Sequence, residues 1–142
     1  TLDVMCNNFI YWSQDLFNNN LFKQGSHIIS MTSAGGRKNW QNYGAVSMAK
    51  AGIESATRQL SIELAEHGVA VNAIQAGVTD TEALRKIPGS EKMIENAKSL
   101  NPHKRLTKTS DIGDFIELLS QYESSWMTGN IIRLDGGEDI TG

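Results

Sequence analysis

The sequence is short of cysteine and of long apolar runs, and each shortage excludes a class of protein. A single cysteine, Cys6, rules out an internal disulfide bond. No run of eighteen apolar residues occurs, so the sequence predicts no transmembrane helix and no membrane partner. Residues 1–5 lack the basic start and apolar core of a signal peptide. These observations predict a soluble protein with a cytoplasmic location.

Positive charge is scarce as well. The 142 residues carry 13 Lys and Arg against 16 Asp and Glu, a formal net charge of -3, and this balance gives no basic surface for nucleic acid. The histidines, His27, His67 and His103, are scattered along the chain without metal-ligand spacing, so no metal site is predicted. The length and a hydrophobic content of 39% predict a single domain over residues 1–142.

Apolar spacing predicts alternating helices and strands. Apolar residues three or four apart predict helices, and short apolar runs bounded by turn residues predict strands. The predicted helices cover 2–22, 43–67, a stretch up to 100 after a break at Pro88-Gly89, and a stretch through 119 capped by Thr109-Ser110-Asp111. The predicted strands cover 28–32, 69–77 and 131–134. This alternation predicts an α/β fold with a parallel sheet that binds ligands at the carboxyl ends of its strands.

Tyr43 and Lys50 open the second long helix, soon after the strand that leads to Ser33. A separation of seven positions is about 700° of helical rotation, which brings the phenol and the ammonium group to nearly one face, about 10 Å apart. A cation near a tyrosine favours the ionised phenol and so assists proton transfer. The same spacing is common on an ordinary solvated helix face, so the two residues alone do not indicate a catalytic site and the surrounding motifs are needed as evidence.

Four motifs occur in a fixed order. They are the segments 27–36, 43–50, 69–81 and 128–137. In this order they resemble the C-terminal half of the short-chain dehydrogenase/reductase family, and the resemblance covers nearly the whole chain. It implies a partial Rossmann-like parallel sheet with flanking helices.

The resemblance also shows what the sequence does not contain. Family members carry an N-terminal half with a glycine-rich turn that receives the cofactor pyrophosphate at a helix N-terminus. No Gly-x-x-x-Gly-x-Gly follows a strand in this sequence. The chain is therefore expected to be a fragment, the C-terminal half of such a fold, and the residue that selects NADH or NADPH is not in it.

The spacing of Tyr43 and Lys50 separates the branches of the family. Most members place three residues between the two, but Ser47 stands where that lysine would fall and the pattern is Tyr-x6-Lys. With Ser33 ten positions before the tyrosine and Ala76-Gly77 instead of Pro-Gly, the chain resembles the enoyl-acyl-carrier-protein reductases. Met5 occupies the place of the Asn that ordinary ketoreductases use in a proton relay, and a thioether cannot replace an amide there.

The resemblance implies roles for particular residues. Tyr43 would donate a hydrogen bond or proton to the thioester oxygen of an enoyl substrate, and Lys50 would bind the ribose of NADH or NADPH and assist the phenol. Ser33 would add a second donor, with a bond to nearby backbone as the alternative. The loop with Gly77, Thr79 and Thr81 would contact the nicotinamide and the phosphates, with an ordinary polar loop as the alternative.

Two other functions stay open at this point. A 3-oxoacyl reductase or another alcohol dehydrogenase of the same family shares the tyrosine and the lysine but acts on a carbonyl. A non-catalytic fragment would instead be an association module, with Phe9, Trp12 and Phe17 as anchors. For either kind of protein, the resemblance implies a homo-oligomer formed through the helices at 2–22 and 43–67. The substrate for an enzyme would be a small molecule or a thioester bound to acyl carrier protein.

Overall fold

A computed structural model of the chain describes residues 1–86 and 89–141, and it contains a parallel sheet of three strands. Strand β1 is His27–Ser33, β2 is Ala70–Ala76 and β3 is Ile131–Leu134. Both pairings are parallel and the order is β1-β2-β3, so β2 lies in the centre. The predicted α/β fold with a partial Rossmann-like parallel sheet is confirmed, and β3 has the predicted bounds.

The helices alternate with these strands. A π-helical turn, Asp3–Asn7, leads into α1, and α2 connects β1 to β2. Two short helices and then α5 lie between β2 and β3. The bounds are Asn8–Asn18 for α1, Gly44–Glu63 for α2, Glu82–Arg85 for α3, Ser90–Leu100 for α4 and Thr109–Ser120 for α5. Single turns of 3-10 helix occur at Ala34–Gly36, Ala65–His67 and Glu138–Ile140.

The core lies between α2 and the sheet. Val71 of β2 is 0% exposed and packs with Leu60 of α2 and with Leu64 just after it, which are 8% and 5% exposed. Burying each of these large aliphatic side chains contributes about 1.5–3 kcal/mol. The helix is held against the strands by its apolar positions at spacings of three and four, and this attachment fixes where its N-terminal residue, Tyr43, stands relative to the end of β1.

Several predicted boundaries differ from the structure: β1 is one residue longer at each end than predicted, β2 is one residue shorter at each end, and the second helix ends at Glu63 instead of 67. The first helix ends at Asn18 rather than 22, because Asn20 takes a left-handed φ of 55° that asparagine tolerates and a helix does not continue. The second begins at Gly44, with Tyr43 as its N-cap. The fourth predicted helix is α5. Within the predicted capping run Thr109-Ser110-Asp111, it is Asp111 that caps the helix, because its carboxylate accepts the Lys108 N–H at 2.8 Å. Of the predicted break at Pro88-Gly89, Pro88 lies outside the described residues, whereas Gly89 is the N-cap of α4 with a left-handed φ of 78°.

The predicted C-cap of the second helix is confirmed. Gly68 follows the second helix in a left-handed conformation with φ 69°, as expected of a C-cap residue. Within residues 1–86 and 89–141, the chain has no helix that is both long and apolar enough to cross a membrane.

Candidate functional site

Three loops meet at the carboxyl edge of the sheet. Ser33, Ala76 and Leu134 end their strands side by side, because Ser33 is in register with Ala76 and Ala76 with Leu134. The loop after β1 leads to Tyr43, the loop after β2 contains Gly77, and the loop after β3 forms the turn Glu138–Ile140. Parallel sheets bind ligands at this edge, since all the loops on it leave strands in the same direction.

Tyr43 and Ser33 both lie against Gly35. A β-carbon added to Gly35 would stand 2.5 Å from Cε1 of Tyr43 and 3.2 Å from Oγ of Ser33. The aromatic ring therefore rests on the glycine, and only a residue without a side chain permits that approach. Both hydroxyl-bearing groups are half-buried. The structure thus brings together two of the three residues predicted to be catalytic.

Ser33 also has the backbone role considered from the sequence. Its Oγ accepts a hydrogen bond from the Gly35 N–H at 3.3 Å. A hydroxyl that accepts through its lone pair still has its own proton to donate. This bond therefore orients the Ser33 hydroxyl without removing its capacity as a donor.

Lys50 bonds to the first strand of the sheet through its ammonium group. Its Nζ donates to the main-chain carbonyl of Met31 at 2.9 Å. Burial lowers the pKa of the Lys50 ammonium, because a charged form loses solvation there. The pairing of Lys50 with Tyr43 stays a prediction.

The loop after β2 is held by a short pairing with Thr107. Thr107 donates its N–H to the carbonyl of Val78 at 3.0 Å and accepts the Asp80 N–H at 3.3 Å. Thr79 lies between these two bonded residues, Val78 and Asp80, and in such a parallel bridge its own main-chain groups point away from Thr107. Among the residues that the structure describes, the main-chain N–H and C=O of Thr79 have no hydrogen-bond partner.

The predicted cofactor-contacting residues of this loop have internal partners for their side chains. Thr79 donates its hydroxyl to the Gly77 carbonyl at 2.9 Å, and Thr81 caps α3 by accepting the Leu84 N–H at 3.2 Å. At Gly77 an added β-carbon would come within 2.7 Å of Oγ1 of Thr107. Glycine is required there for packing within the protein, and this reason is independent of any ligand.

The sequence analysis missed an acidic turn at the same edge. The Glu138 carboxylate accepts the Val78 N–H, with its two oxygens 3.1 and 3.3 Å away. Burial raises the pKa of Glu138, while the Val78 bond lowers it in part. The signal available in the sequence was a pair of acidic residues that begins four positions after the last residue of a strand, at the edge where ligands bind.

The next carboxylate, Asp139, is bound by basic and amide groups. Its side chain is 4% exposed and forms ion pairs with Arg37 and Lys38, the latter at 2.7 Å. Gln75 of β2 donates Nε2 to the same carboxylate at 2.9 Å. Burial alone would raise the pKa of Asp139, but the hydrogen bonds from Lys38, Gln75 and Arg37 lower it to about 2.

Metal-binding groups do not cluster at this edge. No set of three His, Cys, Asp or Glu side chains suited to a metal ion occurs among residues 1–86 and 89–141.

Comparison with known proteins gives a family. A sequence profile described as Enoyl-(Acyl carrier protein) reductase matches residues 1–138. An enoyl-[acyl-carrier-protein] reductase [NADH] FabI from Synechocystis sp. is 36% identical over 122 residues, which are 86% of this chain and 47% of that protein. The chain thus spans about half the length of the curated relatives it matches.

Solved structures agree with this family. The crystal structure of an enoyl-[acyl-carrier-protein] reductase (NADH) from Aquifex aeolicus superposes with a TM-score of 0.86 at 29% identity, covering 99% of this chain and 54% of that one. The promiscuous reductase LugOII, which catalyses a keto-reduction in lugdunomycin biosynthesis, superposes with a TM-score of 0.83 at 27% identity, covering 98% and 54%. With its three parallel strands, its Tyr-x6-Lys pattern and a profile match over nearly all its residues, the chain belongs to the enoyl-acyl-carrier-protein reductase branch of the short-chain dehydrogenase/reductase family.

Proposed function

We propose that this chain supplies the substrate-facing part of an NAD(P)H-dependent oxidoreductase that reduces enoyl-acyl-carrier-protein thioesters in fatty acid synthesis. The observation that carries the proposal is the placement of Tyr43 and Ser33 against Gly35 at the carboxyl edge of the sheet. Because the chain spans about half of its relatives, the proposal concerns the complete gene product that contains it.

The main-chain groups of Thr79 fit the nicotinamide end of the cofactor. A carboxamide has one carbonyl acceptor and one NH2 donor, and Thr79 presents an N–H and a C=O on the side of the loop away from Thr107. These backbone groups support the assignment of the loop better than the hydroxyls of Thr79 and Thr81, which have partners inside the protein.

The chemical roles follow from donors and acceptors. A bound nicotinamide dinucleotide supplies hydride for the β-carbon of the enoyl thioester. As negative charge grows on the thioester oxygen, Tyr43 donates a hydrogen bond or proton to it, and Ser33 offers a second hydroxyl from its place beside Gly35. The Lys50 ammonium uses one of its three N–H donors on the Met31 carbonyl, which leaves two for the ribose hydroxyls.

A comparison of substrates tests this proposal. We expect the complete gene product to oxidise NADH or NADPH with a crotonyl thioester and to be much slower with an acetoacetyl thioester. The likeness to LugOII favours a ketoreductase as the second candidate. Activity with the acetoacetyl substrate alone would establish the ketoreductase, and inactivity with both would remove the proposed oxidoreductase function.

The homo-oligomer predicted from the sequence is a second proposal for the same chain. Trp12 on α1 and Met48 on α2 are 63% and 61% exposed, and apolar side chains of this size support contact with another subunit. Sedimentation of the complete product should show an oligomer that Trp12→Glu weakens. Trp126→Glu is the control, because Trp126 is 92% exposed and lies on neither helix. A monomeric unmodified product would contradict the proposal.

A further inference from the structure

The turn after β3 is fixed to the end of its own strand. Asp135, 5% exposed, accepts the N–H groups of Gly137 at 2.9 Å and Asp139 at 3.0 Å through its two carboxylate oxygens. Gly137 has a left-handed φ of 84°, which glycine adopts without strain. These bonds hold the side chains of Glu138 and Asp139 at a defined place over the carboxyl edge of the sheet.

Glu138 contacts the loop after β2. Its carboxylate accepts the Val78 N–H, and Oε2 would stand 3.0 Å from a β-carbon added to Gly77. Val78 immediately precedes Thr79, whose main-chain groups face away from Thr107. The carboxylate thus holds the Gly77–Val78 peptide, and the next peptide, which carries the Thr79 N–H, is held through its Val78 carbonyl by Thr107.

Asp139 contacts the loop after β1. It pairs with Arg37 and Lys38, which follow Ser33 on the way to Tyr43. Arg37 also donates to Oε1 of Gln75 at 2.8 Å, while Gln75 donates to Asp139. Because the carboxylate of Asp139 and the amide of Gln75 are buried, they depend on these protein partners instead of solvent for their bonds.

We infer that the Glu138-Asp139 pair is a positioning clamp: two adjacent carboxylates hold the loop that leads to Tyr43 and the loop that carries Thr79 in one relative arrangement. The effect of the clamp on catalysis rests on the proposed function, whereas the contacts between the turn and the two loops do not. Neither carboxylate touches a reacting group, so both act through the loops they bind. If the turn only stabilised the fold, a substitution of Arg37, which contacts Asp139, would not change hydrogen exchange in the Thr79 loop, which contacts Glu138.

Hydrogen exchange on the 142-residue chain tests the clamp without any activity. We expect Glu138→Ala to raise the exchange rate of the Val78 amide about tenfold relative to that of Ile53 in the core. Arg37→Met should raise the same ratio about threefold although Arg37 does not bond to Val78, because it loosens Asp139 and the turn. Arg37 is half exposed, so this variant keeps the fold even if Glu138→Ala does not. Asp114→Asn, an exposed change on α5, is the control.

Cofactor binding gives an independent readout in the complete gene product. Glu138→Ala should raise the Kd for NADH about tenfold with kcat within about threefold, and Glu138→Gln should restore most of the affinity because its amide oxygen still accepts the Val78 N–H. A Val78 ratio within twofold of the Asp114→Asn control in Arg37→Met would overturn the clamp. If the unmodified product binds no nicotinamide dinucleotide, the proposed function fails, and the exchange ratios alone decide whether the clamp exists.

Discussion

Lys50 donates its ammonium proton to the main-chain carbonyl of Met31 across 2.9 Å. The Ser26 carbonyl accepts the Ala70 N–H, so the main-chain groups of even-numbered residues along β1 point to β2. Main-chain groups of neighbouring residues in a parallel strand point to opposite edges of the strand. The Met31 carbonyl therefore points to the edge of β1 away from β2. No strand covers that side among the residues described. The lysine thus occupies an acceptor on the open edge of the sheet.

This bond predicts two different effects of changing Lys50. In the 142-residue chain, Lys50→Met keeps the apolar stem and removes one hydrogen bond, so the free energy of unfolding should fall by about 1 kcal/mol or less. Urea denaturation measures it, with the exposed Lys23→Met as control. In the complete gene product, Lys50→Ala should weaken cofactor affinity and turnover together. Unchanged affinity and turnover there would remove Lys50 from the site.

Tyr43→Phe should separate chemistry from stability. The ring that rests on Gly35 is kept, and the phenol hydroxyl has no hydrogen-bond partner within residues 1–86 and 89–141, so the free energy of unfolding should change by less than about 0.5 kcal/mol. Turnover of the complete product should fall by about two orders of magnitude or more, with cofactor affinity within a few-fold. Steady-state kinetics measures both values. Tyr11→Phe, exposed on α1, is the matched control, and equal turnover in the two variants would contradict the role of Tyr43.

Gly35→Ala should displace the phenol without a change at Tyr43 itself. The new methyl group would lie 2.5 Å from the tyrosine ring, which has to move because real carbon atoms do not approach so closely. We expect kcat to fall at least about tenfold, since a misplaced donor loses most of its effect in the transition state. Gly113→Ala is the control: nothing lies within 4 Å of its added β-carbon, and in the middle of a helix it should be stabilising. A Gly35→Ala enzyme with normal kcat would show that the close contact has no catalytic importance.

The sequence predicted the parts of the fold that depend on nearby residues. The bounds of β3 and the left-handed Gly68 follow from short apolar runs and from glycine at a helix end, and both were right. The end of α1 was wrong because the apolar residues up to Phe22 suggested a longer helix, whereas the asparagines before it favour a turn.

The site depends on contacts that no local pattern reveals. Arg37 and Asp139 lie 102 positions apart, and Val78 and Glu138 lie 60 apart. The motif order located Ser33, Tyr43 and Gly77 at one edge because parallel strands end there together. It did not show that Lys50 would bond to Met31, since that choice depends on which side of β1 is covered by another strand.

Asp139 should make stability depend on acid. Its pKa is about 2 in the folded chain, below the value of about 3.9 in an unfolded one, so its stabilising contribution is complete above the unfolded pKa and is lost as the pH falls through about 2. The fall in unfolding free energy between about pH 6 and about pH 3 should be smaller in Asp139→Asn than in the unmodified chain. Urea denaturation at both values checks this. An equal fall in the two proteins would show that the carboxylate is not held by Arg37, Lys38 and Gln75.

The 142-residue chain by itself should bind a nicotinamide dinucleotide poorly. The family resemblance puts the pyrophosphate-binding glycine turn outside these residues, so only the Thr79 loop remains to offset several kcal/mol of association entropy. The open side of β1, next to a groove lined by apolar residues of α1 such as Phe9 and Trp12, should also cause self-association. Calorimetric titration tests the first expectation, and sedimentation of the same sample tests the second. Micromolar affinity would mean that residues 1–142 contain a complete cofactor site, because binding would then not need the glycine turn. A stable monomer would mean that the open edge of β1 does not cause self-association.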